Sequence, residues 1–319
     1  MTGAYAGVRV LVLGASGFIG AWTVRSLARA GAATHAVVRD TAQTARLTAF
    51  GAASITVADL TSPGAIAHVV HTTSPAITVN LAGYGVDRSE RDPVRMQAMN
   101  ATLVTDLCSA LAATPGDAAW RGLQLVHVGS ALEYGPVTGA ITEEVTPAPD
   151  TDYGRTKLAA TNAVLDATGE SGIRAAVVRL FTVYGPGEHA TRLLPSLMNA
   201  ARLGATVSLT TGDQPRDFTY VDDAVEGLLR TGARPEASGQ LLNVATGRLT
   251  TVRQFAEAAA AVLAIPRDRL RFGAVPQQPG EMYHGEVSTA RIDRVLGWHP
   301  AVSITDGVHR TWEQDRSNR

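Results

Sequence analysis

The chain has 319 residues, 45% hydrophobic and 18% charged, the balance of a folded protein that is long for one compact core, so a large unit with a smaller one is expected. A formal net charge of -1 supplies no field to draw a nucleic acid or an anionic membrane, and no apolar run approaches the ~20 residues that cross a bilayer. Cys108 is the only cysteine, which excludes an intrachain disulfide and a cysteine-based metal cluster and leaves it as a small apolar residue on a helix face.

The chain opens without a basic segment leading into an apolar one, so the expectation is a cytoplasmic protein. Val8 to Leu13 is a short aliphatic run that reads as a strand. Gly14-Ala15-Ser16-Gly17-Phe18-Ile19-Gly20 follows, and Trp22 to Leu27 is apolar every third or fourth position, so the pattern is strand, glycine turn, helix. Gly14 permits a tight turn, Gly17 lets backbone approach a ligand, and Gly20 lets the helix lie close on the sheet. The first N–H groups of that helix suit a pyrophosphate. The spacing G-x-x-G-x-x-G is one residue off the dinucleotide fingerprint, so the remaining chain has to supply further support.

Thr34 to Val38 reads as a second strand ending at Arg39-Asp40, about 20 residues past the last glycine, where a dinucleotide fold takes the adenosine ribose with an acid or its 2′-phosphate with an arginine. Arg39 comes first, which favours NADP over the alternative, NAD. Ile55 to Leu60 and Ala76 to Gly83 read as the third and fourth strands, with a helix near Ala65 to Val70 between them. A long helical segment from Val94 to Leu111 includes Asn100, and Leu123 to Gly129 gives a fifth strand ending at Ser130. Strands alternating with helices imply right-handed crossovers and a parallel sheet covered on both faces, with ligands at the carboxyl ends. Gly14, Asp59, Gly83 and Ser130 therefore line one crevice.

Asp150-Thr151-Asp152 offers caps for a helix running to about Thr168 that carries Tyr153 and Lys157 at i and i+4, on one face. A cation beside a phenol stabilises its phenolate and lets it exchange a proton near neutral pH. Of 28 basic residues, 27 are arginine and Lys157 is the one lysine, a compact charge that also reaches ribose hydroxyls. With 7 tyrosines in the chain, a lone lysine falls four residues after one of them by chance about 2% of the time (7/319). Ser130 offers a second hydroxyl to the same substrate oxygen.

These motifs, with Ser130-Ala131-Leu132-Glu133-Tyr134-Gly135, Tyr153-Gly154-Arg155-Thr156-Lys157, Arg179 to Gly187, Arg216 to Asp223, Leu242 to Gly247 and Leu296 to Pro300, resemble the extended short-chain dehydrogenase/reductase family, in its nucleotide-sugar epimerase, dehydratase and reductase branch. The similarity spans almost the whole chain in order. It implies a Rossmann-like doubly wound parallel sheet formed by 1–181 with 214–247, and a second, smaller α/β substrate lobe formed by 182–213 with 248–319. It also implies Ser130, Tyr153 and Lys157 as the catalytic set, a nucleotide-diphosphate sugar as substrate, Arg216 on its diphosphate, and a homodimer. The expected cofactor contacts are Gly14, Ser16, Gly17, Phe18, Ile19, Gly20, Arg39, Asp59, Leu60, Leu81, Ala82, Gly83, Asn100, Tyr153 and Lys157. The expected substrate contacts are Ser130, Tyr184, His189, Arg192 and Arg216, with no metal. Asp222 or Asp223 is expected to cap a helix beginning at Ala224.

Departures from the family pattern narrow the reaction. In the 4,6-dehydratases an Asp-Glu pair follows the residue matching Ser130. Ala131 and Leu132 stand there and cannot move protons, which disfavours dehydration, and Leu132 also replaces the glutamate of the sugar-nucleotide decarboxylases. Glu133 is one position late, and strand alternation would turn it to the opposite face. Gln277 and Gln278 precede Pro279-Gly280-Glu281 where a second diphosphate-binding arginine is usual. What remains is a 4-ketoreductase using NADPH on an NDP-4-keto-6-deoxyhexose, with an NAD-dependent 4-epimerase as the alternative. A non-catalytic NADP-binding sensor or scaffold is disfavoured by the intact catalytic set.

Overall fold

The computed structural model describes residues 3–317 other than 88, 138 and 278–282. Its strands in chain order are β1 (Arg9–Leu13), β2 (Ala33–Val38), β3 (Ser54–Val57), β4 (Ile77–Asn80), β5 (Leu125–Ser130), β6 (Ala175–Leu180), β7 (Thr182–Tyr184), β8 (Val207–Leu209), β9 (Pro215–Tyr220), β10 (Leu241–Val244), β11 (Leu249–Thr251) and β12 (Leu270–Phe272). The helices are α1 (Phe18–Arg29), α2 (Thr44–Ala49), α3 (Ala65–Thr73), α4 (Pro93–Gln97), α5 (Leu103–Ala113), α6 (Asp152–Glu170), α7 (Leu193–Leu203), α8 (Val221–Gly232), α9 (Val252–Val262), α10 (Ala290–Leu296) and α11 (Ile304–Ser317).

Seven strands form one parallel sheet in the order β10-β6-β5-β4-β1-β2-β3. Alternate residues of β1 serve opposite layers: Val10 and Val12 bury with Val24 and Leu27 of α1, while Leu11 and Leu13 bury with Val69 of α3 and Leu107 of α5. Cys108 packs in that second layer as a small apolar residue. The strand order reverses between β1 and β4, and a sheet of this kind opens its ligand crevice at that switch. Among the described residues no helix is long and apolar enough to cross a membrane.

Two strands stop earlier than their aliphatic runs suggest. β3 ends at Val57 because Asp59 folds back to accept from Thr61 N–H, and β4 ends at Asn80, whose side chain takes the Ala82 N–H. The segment 94–111 is helical but not one regular helix. Asp92 caps α4, a single π turn spans Ala98–Thr102, and α5 follows. Such a wide turn re-aims a side chain, here Asn100, into the interior.

The remaining strands make a three-stranded sheet, β11-β9-β7, and a parallel pair, β12-β8. Of the segment 214–247, β10 joins the large sheet and α8 packs on α1, while β9 pairs with β7 and β11. Helix α8 starts at Val221, not Ala224, and neither aspartate caps it. Asp223 instead accepts from Ala301 and Val302 N–H at 2.8 and 2.7 Å, tying the C-terminal segment to α8.

Candidate active site

The turn from β1 into α1 fits only glycine. Gly14 has φ +71, and a side-chain carbon there would lie 2.7 Å from the Leu81 carbonyl and the Ala82 nitrogen, at the end of β4. At Gly20 it would fall well inside contact with the Gly14 carbonyl oxygen, so α1 lies against the turn that precedes it. Helix α1 begins after exposed Gly17 without a side-chain cap or an acid in its first turn, which leaves its N–H groups to an anionic guest. The turn is therefore a cradle that a dinucleotide's pyrophosphate fits.

At the edge of that crevice, Asp40 is taken up by the Ala42 N–H at 2.9 Å, and Arg39 is exposed. The hydroxyl and amide of Thr61, with the positive charges of Arg95 and Arg39, hold the Asp59 carboxyl below its ordinary value. Arg95 lies 5.1 Å from the Tyr84 ring centroid. Sequence reading missed Arg95. It reaches this edge from α4, and no spacing along the chain announces the proximity.

Ser130, Tyr153 and Lys157 come together as their pattern implies. Ser130 ends β5 and caps a short 3-10 turn over Ala131–Glu133. Thr151 caps α6 by accepting from Gly154 N–H at 3.0 Å, and a side chain at Gly154 would overlap the Leu132 carbonyl. The first turn of α6 thus lies directly on the turn after Ser130, which brings Tyr153 beside Ser130. Burial raises the half-buried phenol above its ordinary value, as do the charges of Glu133 and Glu90, while the neighbouring Ser130 hydroxyl lowers it. The loop after β4 passes over the same ring, where a side-chain carbon at Gly85 would come within 3.0 Å of Tyr153.

Lys157 is buried, donates to the Val128 carbonyl at 2.5 Å, and has Nζ 3.5 Å from His127 Nε2. Burial lowers its ammonium to about 8, with Glu133 opposing the shift.

Glu133 lies on the face opposite Ser130, where a side-chain carbon at Gly129 would meet its carboxylate at 2.6 Å, but a 3-10 turn and not strand alternation puts it there. In the 3-10 turn its carboxylate curls back to accept from Ser130 N–H at 2.7 Å, from the Thr161 hydroxyl at 2.7 Å and from Arg179 Nε at 2.8 Å. The Glu133–Arg179 pair is almost wholly buried, with Arg179 also 4.2 Å from the Tyr134 ring centroid. Glu133 thus lies behind Ser130, and its charge opposes ionisation of the Tyr153 phenol and favours the Lys157 ammonium.

Asn100 is engaged within the protein. Its carboxamide accepts from Tyr84 N–H and donates to Tyr84 O, both at 2.8 Å, and donates to Thr156 at 3.0 Å, so it clamps the loop after β4 to α6.

The expected substrate contacts divide. Tyr184 differs from the expectation: its ring is buried against Phe218, Tyr220 and Phe255, and its hydroxyl donates to Ser303 O, because β7 turns it into the core of the smaller layer. His189 and Arg192 lie on the 185–192 loop, His189 3.4 Å from Asp87 and Arg192 3.2 Å from Glu188, so this loop meets the one after β4. Burial raises the Glu188 carboxyl to about 7. Arg216 is half-buried in β9, and its charge helps burial lower His284 to about 3. Gln278 to Glu281 lie outside the described residues. A cavity of about 820 Å³ between α2, the 185–190 loop, α7 and α11 touches none of Ser130, Tyr153 and Lys157. Among the described residues no group of three or more His, Cys, Asp or Glu could hold a metal.

The family model for the NAD dependent epimerase/dehydratase family matches residues 10–245. The chain is 31% identical over 320 residues to dTDP-6-deoxy-L-talose 4-dehydrogenase (NAD(P)(+)) of Kitasatospora kifunensis, covering 95% of this chain and 94% of the relative. It is 28% identical over 326 residues to UDP-glucose 4-epimerase of Mycolicibacterium smegmatis, covering 96% and 98%. Its fold matches the crystal structure of UDP-glucose 4-epimerase with UDP-glucose from Thermotoga maritima with a TM-score of 0.86 at 21% identity, over 97% of this chain and 99% of that one. With its glycine cradle at the switch of a seven-stranded parallel sheet and its Ser130, Tyr153 and Lys157 gathered beside it, the chain belongs to the NAD dependent epimerase/dehydratase family, in the nucleotide-sugar branch of the extended short-chain dehydrogenases/reductases.

Proposed function

We propose that the protein is an NADPH-dependent nucleotide-sugar 4-ketoreductase acting on a 4-keto-6-deoxyhexose carried by a nucleoside diphosphate. The observation that carries this is the packing of the first turn of α6 on the turn after Ser130, which sets Tyr153 and buried Lys157 at the end of β5, in a site where Ala131 and Leu132 leave no acid for dehydration. The relative named as a 4-dehydrogenase using either cofactor supports the same reaction class. We also propose the lobe division of 1–181 with 214–247 and 182–213 with 248–319.

In this mechanism Gly14, Gly17 and Gly20 hold the cofactor's pyrophosphate at the start of α1, and Arg39, with Arg95 nearby, takes the 2′-phosphate. When bound, the reduced nicotinamide supplies hydride to C4 of the sugar. Ser130 orients the C4 oxygen, and Tyr153 gives it a proton. Burial keeps the phenol protonated until that oxygen gains negative charge, which suits an acid. The Lys157 ammonium then steadies the phenolate that remains. Arg216 holds the sugar nucleotide's diphosphate.

A 4-epimerase would use the same three side chains, and the relative named UDP-glucose 4-epimerase favours it. The two separate in one assay. Purified protein given NADPH and a nucleotide-linked 4-keto-6-deoxyhexose should oxidise cofactor in proportion to sugar. Co-purified NAD, no net oxidation and interconversion of an ordinary hexose nucleotide would replace the reductase with the epimerase.

A further inference from the structure

Strands buried on both faces are built largely from aliphatic residues, yet β4 and β5 each carry a fully buried side chain able to donate and accept through nitrogen or amide groups. These are Asn80 and His127, and the register sets them directly opposite each other. The backbone decides how Asn80 is turned. Ala82 N–H can only donate and lies 3.1 Å from Asn80 Oδ1, so the Asn80 amide nitrogen faces His127, 3.1 Å from Nδ1. An amide nitrogen accepts nothing, so His127 Nδ1 is the bare acceptor and the neutral ring carries its proton on Nε2. Burial, with the charge of Lys157, holds His127 well below its ordinary value, and neutral imidazole is the form present.

His127 Nε2 lies 3.5 Å from Lys157 Nζ. An N–H aimed at an ammonium is unfavourable, whereas one aimed at the lone pair of an amine is a hydrogen bond. The Val128 carbonyl accepts from Lys157 in either state. The other charged or titratable groups around Lys157 are Glu133 in the turn after β5, Arg179 of β6 behind it, and Tyr153 on its own helix. Glu133 favours the ammonium.

We propose that Ala82 N–H, Asn80, His127 and Lys157 form a hydrogen-bond chain of fixed direction that favours the neutral amine of Lys157, which makes His127 a positioning residue for the reactive set. The proposal rests on the assignment of Lys157 to that set. The chain adds to burial in opposing Glu133, and that balance lets Lys157 exchange its proton near neutral pH, where an ordinary lysine would remain a fixed charge.

Lys157 is the only lysine, so isotopically labelled lysine gives the full-length protein one side-chain Cε resonance, read here without substrate. The native midpoint should lie at about 8. In His127→Phe, which removes the N–H, and in His127→Gln, whose amide oxygen can accept from the ammonium, it should rise by roughly one unit or more. Nitrogen NMR should show the His127 proton on Nε2, its signals identified by their loss in these variants. The alkaline limb of kcat/KM should rise with the midpoint. An unmoved midpoint in both variants, or a proton on Nδ1, would overturn the proposal. A moved midpoint without turnover of any 4-keto nucleotide sugar supports the chain and removes the reductase assignment.

Discussion

Gly154→Ala separates stability from catalysis at the contact that creates the site. Gly154 stands in the first turn of α6, and an added methyl would overlap the Leu132 carbonyl oxygen, with Pro149 Cβ at 2.9 Å and the Thr151 hydroxyl at 3.1 Å. None of these is the free end of a flexible chain. An ordinary carbon–oxygen contact is ~3.3 Å, so the helix start and the 131–133 turn have to part by roughly 1 Å. Overpacking of this kind costs about 1–3 kcal/mol, and alanine's better helix propensity returns about 1 kcal/mol, so net destabilisation is only about 0–2 kcal/mol. Catalysis has no such offset. Tyr153 precedes the methyl and Ser130 starts the turn it strikes, and a displacement near 1 Å costs about a hundredfold. Calorimetry should therefore find a nearly native melting temperature while NADPH oxidation falls about a hundredfold in kcat/KM. A folded variant with unchanged kcat/KM would refute the claim that this contact sets the Ser130–Tyr153 geometry.

Arg39→Ala should weaken NADPH binding roughly 10- to 100-fold, the worth of one charge-assisted hydrogen bond, and leave NADH almost untouched in a fluorescence titration. Equal losses for both cofactors would reject the 2′-phosphate assignment. Glu133→Gln leaves the Arg179 charge buried without its partner and should cost about 3–5 kcal/mol, or roughly 5–8 °C in Tm for a chain of this length. Glu133→Gln with Arg179→Met should recover part of that loss, and a Tm near the native one in the single variant would show that the pair is not needed.

Local pattern made some of the site legible. Gly14, Gly17 and Gly20 follow an aliphatic strand, and Tyr153 and Lys157 are one helical turn apart on a capped helix, so a few neighbouring residues identify each group. Other parts depended on pairings distant in the chain. Asn80 and His127 look like unrelated polar interruptions of two aliphatic runs until β4 and β5 align them. That interruption is the signal that could have singled them out. Arg95 joins Arg39 only because α4 returns over the crevice edge, and Gly154 reads as an ordinary helix residue until the 131–133 turn packs on it. Strand alternation put Glu133 on the face opposite Ser130, where it lies, but its bonds to Ser130, Thr161 and Arg179 come from a 3-10 turn that alternation does not announce. Tyr184 belongs to a loop-like motif by sequence, yet β7 pairs with β9 and buries its ring among three other aromatics.

Tyr153→Phe keeps the ring that packs against the loop after β4 and removes only the hydroxyl beside Ser130. Its single-turnover reduction of a nucleotide-linked 4-keto-6-deoxyhexose, measured beside its affinity for NADPH, tests the assignment of proton transfer to this site most directly. The expected result is native NADPH affinity with the rate of reduction lowered by about 10²–10⁴-fold. Reduction at the native rate would contradict it and remove Tyr153 as the acid.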